Sequence, residues 1–168
     1  MPADIYPVTT IDDINTVSRL AREIWTEHFT PIIGELQVEY MLEKFQSSGS
    51  ITNQISEGFE YYLARNENEC VGYTALVTDL ADRKMMISKL YTLSEVRCTG
   101  VGTALLSHTE NICSSRNIPR LWLTVNKYND GAISWYKHRG FVVTDAVKAD
   151  IGGGFYMDDY LMEKVLEQ

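Results

Sequence analysis

The segment Arg97-Cys98-Thr99-Gly100-Val101-Gly102 follows the apolar stretch KLYTL and opens an amphipathic run that begins at Val101. Glycine lets the backbone turn tightly and come close to a ligand. The first N–H groups of a helix have no internal partners, and they sit at the positive end of its dipole. Strand, glycine turn and helix start, in that order, suit a phosphate. Two common phosphate loops do not fit. A Walker loop needs a lysine after its last glycine, but Thr103 follows Gly102. A dinucleotide fingerprint needs glycine or alanine where Leu105 stands. What remains is Arg-x-x-Gly-x-Gly, with Arg97, Gly100 and Gly102 in its fixed places. Further along, Ala132 and Tyr136 share one face of a predicted helix. A ligand can approach over the alanine while the tyrosine hydroxyl reaches it. Asn129 stands just before that helix, where asparagine is a favoured N-cap.

The elements that must position these residues are legible from periodicity. Asp4–Val8 reads as a short strand. Thr10 and Asp13 resemble a capping box, and behind them Ile14, Val17, Ala21, Ile24 and His28 repeat at helical spacing. Pro31 and Gly34 punctuate. Glu35–Gln46 reads as a second helix, Ser47–Ser50 as a turn and Ile51–Gly58 as a short helical turn. Phe59–Arg65 and Val71–Val77 form an antiparallel hairpin around a polar turn. Lys84–Leu93 is the next strand, followed by a helix over Val101–Arg116 and a strand over Arg120–Val125. Asp130–His138 is a helix closed by Gly140. Phe141–Val147 and Tyr160–Leu166 are strands around a triple-glycine turn. The fold class is α+β, or mixed α/β: one sheet layer with helices packed on it, in a single domain over residues 1–168.

A chain of 168 residues can bury a core without covalent staples. It carries 15 basic and 23 acidic side chains, a net charge of −8, which argues against a nucleic-acid partner. The charge leans slightly toward a cationic substrate. The cysteines Cys70, Cys98 and Cys113 are scattered without a CxxC pair, so neither a metal site nor a disulfide framework is expected. A reducing, cytoplasmic setting is the simplest reading. The first residues, MPADIYPVTTIDD, lack the features of a targeting leader, and no apolar run is long enough for a membrane span.

The Arg97–Gly102 loop, with Asn129, Ala132, Tyr136 and Gly140-Phe141 after the strand LWLTV, resembles the two coenzyme A motifs of the GNAT N-acetyltransferases. The stretch from Gly34 through YMLEKFQS and the ending FYMDDYLMEK resemble the branch of bacterial protease-and-sporulation regulators that acetylate polyamines. The resemblance implies a GNAT fold with a central mixed twisted sheet of about seven strands and helices on both faces. It implies acetyl-CoA as co-substrate and direct attack by a primary amine in a ternary complex. Members of the family are often dimers, which leaves a homodimer open. Leu90, Tyr91 and Thr92 would pair their backbone with the pantetheine arm, and a backbone N–H near Tyr91 would receive the developing oxyanion. Arg97, Cys98, Thr99, Gly100, Val101, Gly102 and Thr103 would offer N–H groups to the pyrophosphate. Cys98 and Thr99 stand where the family often has Gly and Lys. Tyr136 would be the general acid that protonates the departing thiolate. Asn129 would hold the pantetheine, cap its helix, or both. Lys137 and Arg139 are candidates for the 3′-phosphate or for a solvated face.

The acceptor side is less determined. A primary amine is protonated at neutral pH, and deprotonating it costs roughly 4.6 kcal/mol, which a base or desolvation must offset. Candidates for the base or the acceptor slot are Glu23, Trp25, Glu27, His28, Tyr91 and the Asp158–Asp159 pair, with Phe29 beside Trp25. Glu23 and Glu27 are also compatible with a solvated pair, and His28 with packing. His108 and His138 read as surface or packing residues. A cofactor-binding regulator without turnover, and a modifier of protein N-termini or lysines, remain alternatives at this level.

Overall fold

The computed structural model describes residues 3–166. The elements run β1 (Asp4–Pro7), α1 (Ile11–Ile33), α2 (Glu35–Phe45), α3 (Ser48–Ser56), β2 (Glu60–Asn66), β3 (Glu69–Asp79) and β4 (Lys84–Thr92). They continue with α4 (Val101–Ser115), β5 (Arg120–Asn126), α5 (Asp130–His138), β6 (Val142–Gly152) and β7 (Phe155–Val165). The strands form one sheet in the order β1-β2-β3-β4-β5-β7-β6. Every neighbouring pair is antiparallel except β4 and β5. This is the mixed α/β sheet expected from the sequence.

Alternation along β2 assigns the two faces. Tyr61 bonds Gln54 of α3, so its face meets α1–α3. Tyr62 sets its ring 4.7 Å from His108 of α4. Glu60, on that same face, takes Arg116 at 2.8 Å. Helices therefore cover both faces of the sheet. The apolar residues of α1 at helical spacing, Val17, Leu20, Ala21 and Ile24, are all buried against it.

Several boundaries differ from the sequence reading. The capping box forms as expected: Thr10 Oγ1 accepts from the Asp13 N–H, and Asp13 accepts from the Thr10 N–H. Pro31 does not end α1. It removes one backbone donor in the last turn only, and the helix closes at Gly34, whose φ is 88° and whose N–H is donated to Thr30. Ser47–Ser50 is not a turn. Ser47 caps α3, its hydroxyl accepting from the Ser50 N–H at 3.3 Å. Strands β6 and β7 are longer than their apolar residues suggest, because Lys148, Ala149 and Asp150 pair with Asp158, Met157 and Tyr156.

The long hairpin has an anchor. Tyr40 of α2 donates its hydroxyl to the Ile151 carbonyl at 2.7 Å, and the Lys44 ammonium joins it on the same oxygen. The Tyr40 ring lies 5.2 Å from that of Phe155, and Gln37 donates to the Tyr156 carbonyl. A side chain on Gly152 would meet the Tyr40 hydroxyl at 2.6 Å, so only glycine fits there. The two segments that carry the finer sequence resemblance, 34–47 and 155–164, are thereby joined in space.

Candidate active site

Strands β4 and β5 pair only over Lys84–Met86 and Arg120–Trp122. Beyond these residues they separate. A bulge in β4 helps: Leu76 pairs with Ile87 and Ala75 with Lys89, which leaves Ser88 without a partner. Each strand is still laddered on its outer side, to β3 or to β7. The facing backbone groups of Leu90, Tyr91 and Thr92 on one side, and of Leu123–Asn126 on the other, therefore border an open wedge. The wedge opens into a cleft of about 640 Å3 lined by both strands, α1, α2, the α4 start and α5. On its far side β3 lies close to β4: a side chain on Gly72 would meet the Tyr91 carbonyl at 2.9 Å.

At the mouth of the wedge lies the glycine loop. Cys98 and Gly100 are both left-handed, with φ of 64° and 95°. Gly100 occupies the N-cap of α4 and has no side chain to cap with. Among the described residues, the N–H groups of Cys98, Gly100, Val101, Gly102 and Thr103 have no protein acceptor. Those of Arg97 and Thr99 are donated to the carbonyls of Ser94 and Val96. The sequence suggested that all seven amides would be available, and the turn before α4 consumes two of them. The remaining five are left unpaired at the start of a helix, where its dipole favours an anion. Trp135 of α5 closes it from above: a Cβ on Gly102 would stand 3.2 Å from the indole. Arg139 stacks on that indole at 3.8 Å and donates to the Thr103 hydroxyl at 2.9 Å. Arg139 lines the cleft, whereas Lys137 is exposed away from it. Tryptophan 135 had no signal in the motif reading, because the family pattern leaves its position unspecified.

Deeper in the wedge stand Tyr136 and Ala132, both on the lining. Tyr136 is buried, and burial pushes its phenol well above the ordinary value, so it stays protonated at neutral pH. Asn129 holds the N-cap position of α5 but makes no capping bond with its side chain. Its Oδ1 instead faces His28 Nε2 at 3.1 Å, and His28 Nδ1 faces the Arg97 guanidinium at 3.3 Å. His28 thus links α1 to both cofactor-side elements.

The proposed acceptor residues divide. Trp25 and His28 line the cleft, while Glu23 and Glu27 point from α1 into solvent. The two neighbouring aspartates also separate, because successive side chains of a strand face opposite sides. Asp158 pairs with Lys127 at 2.9 Å and does not line the cleft. Asp159, opposite Asn126 in the ladder, is 5% exposed and does line it. Burial, chiefly, and the neighbouring Asp158 charge push the Asp159 carboxyl up to about 6, against a hydrogen bond from Thr124. Tyr91 turns its ring into the core between Tyr73 and Trp25, and burial raises its phenol. Met41, Met157 and Gln37 also line this side of the cleft. Periodicity alone did not single them out, although all lie in or beside the two segments quoted above. His108 packs on Tyr62, and His138 bonds the Ser134 carbonyl on the surface.

A parallel strand pair that splays beside unpaired amides at a helix start is the arrangement that the family resemblance implies. The comparisons name it. The family model "Acetyltransferase (GNAT) family" matches residues 19–141. The chain belongs to the GNAT acetyltransferase family. It is 31% identical over 103 residues to an uncharacterized N-acetyltransferase of Mycobacterium tuberculosis, a match that spans 61% of this chain and 65% of that protein. It is 25% identical over 162 residues to the spermidine N(1)-acetyltransferase of Thermoplasma acidophilum, covering 94% of each. The crystal structure of the PaiA N-acetyltransferase of the same archaeon, in complex with coenzyme A, superposes with a TM-score of 0.84 at 24% identity, over 99% of this chain and 100% of that one. Among the described residues, no helix is long and apolar enough to cross a membrane, and no cluster of ligating side chains could hold a metal ion.

Proposed function

We propose that the chain transfers the acetyl group of acetyl-CoA to a primary amine by direct attack in a ternary complex. The observation that carries this is the continuity of one cleft from the five free amides of residues 98 and 100–103, along the open edges of β4 and β5, to Tyr136 and Asp159. The amides and the Arg139 guanidinium supply the positive end for a diphosphate and its neighbouring phosphate. The β4 edge at Leu90–Thr92 supplies pairing groups for an amide-bearing arm, as a third strand would. These residues fit coenzyme A, whose thioester they would deliver between the sheet and α1.

Asp159 receives a proton from the incoming ammonium, directly or through water, and the free amine attacks the thioester carbonyl. A backbone N–H on the open edge of β4 stabilises the oxygen as it becomes negative. The carbon–sulfur bond breaks, the Tyr136 phenol donates its proton to the departing sulfur, and the second proton of the attacking nitrogen passes through water to restore the phenol, leaving the neutral amide. The raised Asp159 carboxyl is close enough to neutrality to take a proton and give it up again. A polyamine and a primary amine on an apolar body both meet this chemistry. The likeness to the archaeal spermidine enzyme supports a polyamine, which is also what the finer sequence resemblance implies.

The test is isothermal calorimetry with acetyl-CoA, paired with thiol release in the presence of a panel of primary amines. Cofactor binding with thiol release on at least one amine is the expected result. Binding without release on any amine, and release only on peptides, would each replace this reading, by a silent binding protein and by a protein-modifying enzyme respectively.

A further inference from the structure

The acceptor end of the cleft has a chemical character that the overall charge of −8 conceals. Its apolar walls are Ile24, Trp25, Phe29, Ile33, Met41 and Met157, with the uncharged Gln37 and the His28 ring beside them. Trp25 and Phe29 have ring centroids 4.3 Å apart, and Tyr91 meets them edge-on at 5.6 and 6.0 Å. They form a three-ring aromatic corner. Asp159 is the only carboxylate on the cleft lining among the described residues. The acidic excess lies elsewhere: Glu23 and Glu27 face solvent, Asp158 is neutralised by Lys127, and Glu39 pairs with Arg22.

A polyamine brings a second ammonium, which must enter this end of the cleft or stay outside. Removing an ammonium from water without a partner costs several kcal/mol. A cation over an aromatic face returns only about 0.5–2 kcal/mol. The single carboxylate is already committed to the reacting nitrogen. An apolar body on the same nitrogen, by contrast, gains roughly 25 cal/mol for each Å2 of surface that these walls remove from water.

We propose that the preferred acceptor is a primary amine carried on an aromatic or branched aliphatic body with no second cationic group. The aromatic corner and the two methionines hold the body, and Asp159 holds the amine. This rests on the amine-transfer reading above and narrows it.

The experiment measures kcat/KM with acetyl-CoA for phenethylamine and isopentylamine against spermidine and putrescine, for the full chain and for Met157→Glu. Met157 is half-exposed on the cleft wall, so a carboxylate there is tolerated and adds the missing second anion. The apolar amines are expected to exceed spermidine by about tenfold or more, the ratio that burying one to two methylenes supports. Met157→Glu is expected to move that ratio toward spermidine by about tenfold, the effect of one partly buried ion pair. Spermidine or putrescine turned over as well as the apolar amines would overturn the inference and leave the amine-transfer reading standing. An unchanged ratio in Met157→Glu would overturn the assignment of the acceptor end. No thiol release with any amine, while acetyl-CoA still binds, would overturn the transfer reading itself and this inference with it.

Discussion

Replacing Asp159 by asparagine removes a charge that the fold holds at a cost. The carboxyl is raised from 3.8 to about 6, chiefly by burial. The sign follows from that direction. A group whose folded value lies above its unfolded value favours the folded state fully below about pH 4, and that support is lost as pH rises through about 6. At pH 7 the ionised carboxylate therefore opposes folding. Two pH units correspond to about 3 kcal/mol, and water reaching the group through the cleft reduces this to about 1–2 kcal/mol. Asp159→Asn should raise stability by that amount at pH 7 and leave it unchanged at pH 4. For a chain of this length the gain corresponds to roughly 2–8 °C in Tm, measured by thermal unfolding at both pH values. The same variant should lose about 100-fold or more in kcat with the best amine acceptor, the usual contribution of a positioned base. In the unmodified protein, log kcat/KM should rise with pH up to about 6 and then level off, because Asp159 takes the ammonium proton within the complex. A variant less stable at pH 7, or a profile that still climbs with unit slope between pH 7 and 9, would refute the assignment. The second result would mean that only amine already neutral in solution reacts.

Tyr136→Phe should lower kcat about 100-fold while leaving the calorimetric affinity for acetyl-CoA within about twofold, since the phenol is assigned to the departing sulfur and not to anchoring. Gly100→Ala meets no atom within 4 Å, so its cost is purely that of φ at 95°. About 1 kcal/mol of stability should be lost in urea unfolding, and the dissociation constant for acetyl-CoA should rise about tenfold as the loop relaxes. Lys89→Met removes a buried ammonium that donates to the Phe45 carbonyl at 2.6 Å and to Gln54 at 3.0 Å, and also meets the Tyr61 hydroxyl. Burial pulls this lysine down to about 7. The stranded oxygens should cost about 1–3 kcal/mol in urea unfolding, with little change in affinity for acetyl-CoA.

The cofactor half of the site was legible because its chemistry is local. Arg97, Gly100 and Gly102 sit in six consecutive residues, and their spacing alone makes a turn before a helix. Ala132 and Tyr136 need only one helix to share a face. What sequence could not show was which amides the turn would consume for itself: those of Arg97 and Thr99 depend on where the short 3-10 turn at Ser94–Val96 ends. The acceptor half is assembled from α1, α2, β4 and β7, which lie in three separate stretches of the chain, and there the reading divided. Asp158 and Asp159 are chemically identical in sequence, and only the pairing of β7 with β5 sorts them. Gln37, Met41 and Met157 meet because Tyr40 and Lys44 hold the hairpin tip, a contact between residues more than one hundred positions apart. The length of β6 was hidden for a related reason. Most of its residues are exposed, so polar and apolar ones do not alternate, and only the ladder to β7, itself broken by two register shifts, marks it as a strand.

The β5–β7 ladder sets Asn126 opposite Asp159. Shifting that alignment by a single position would swap the duties of two adjacent acids, sending one into water and turning the salt-bridged one inward. Point mutation of either acid is thus not the only way to silence this end of the molecule. A shortened or lengthened connection before β7 that reset the strand would do so with both acids intact, while turning the fully buried Met162 out of the core.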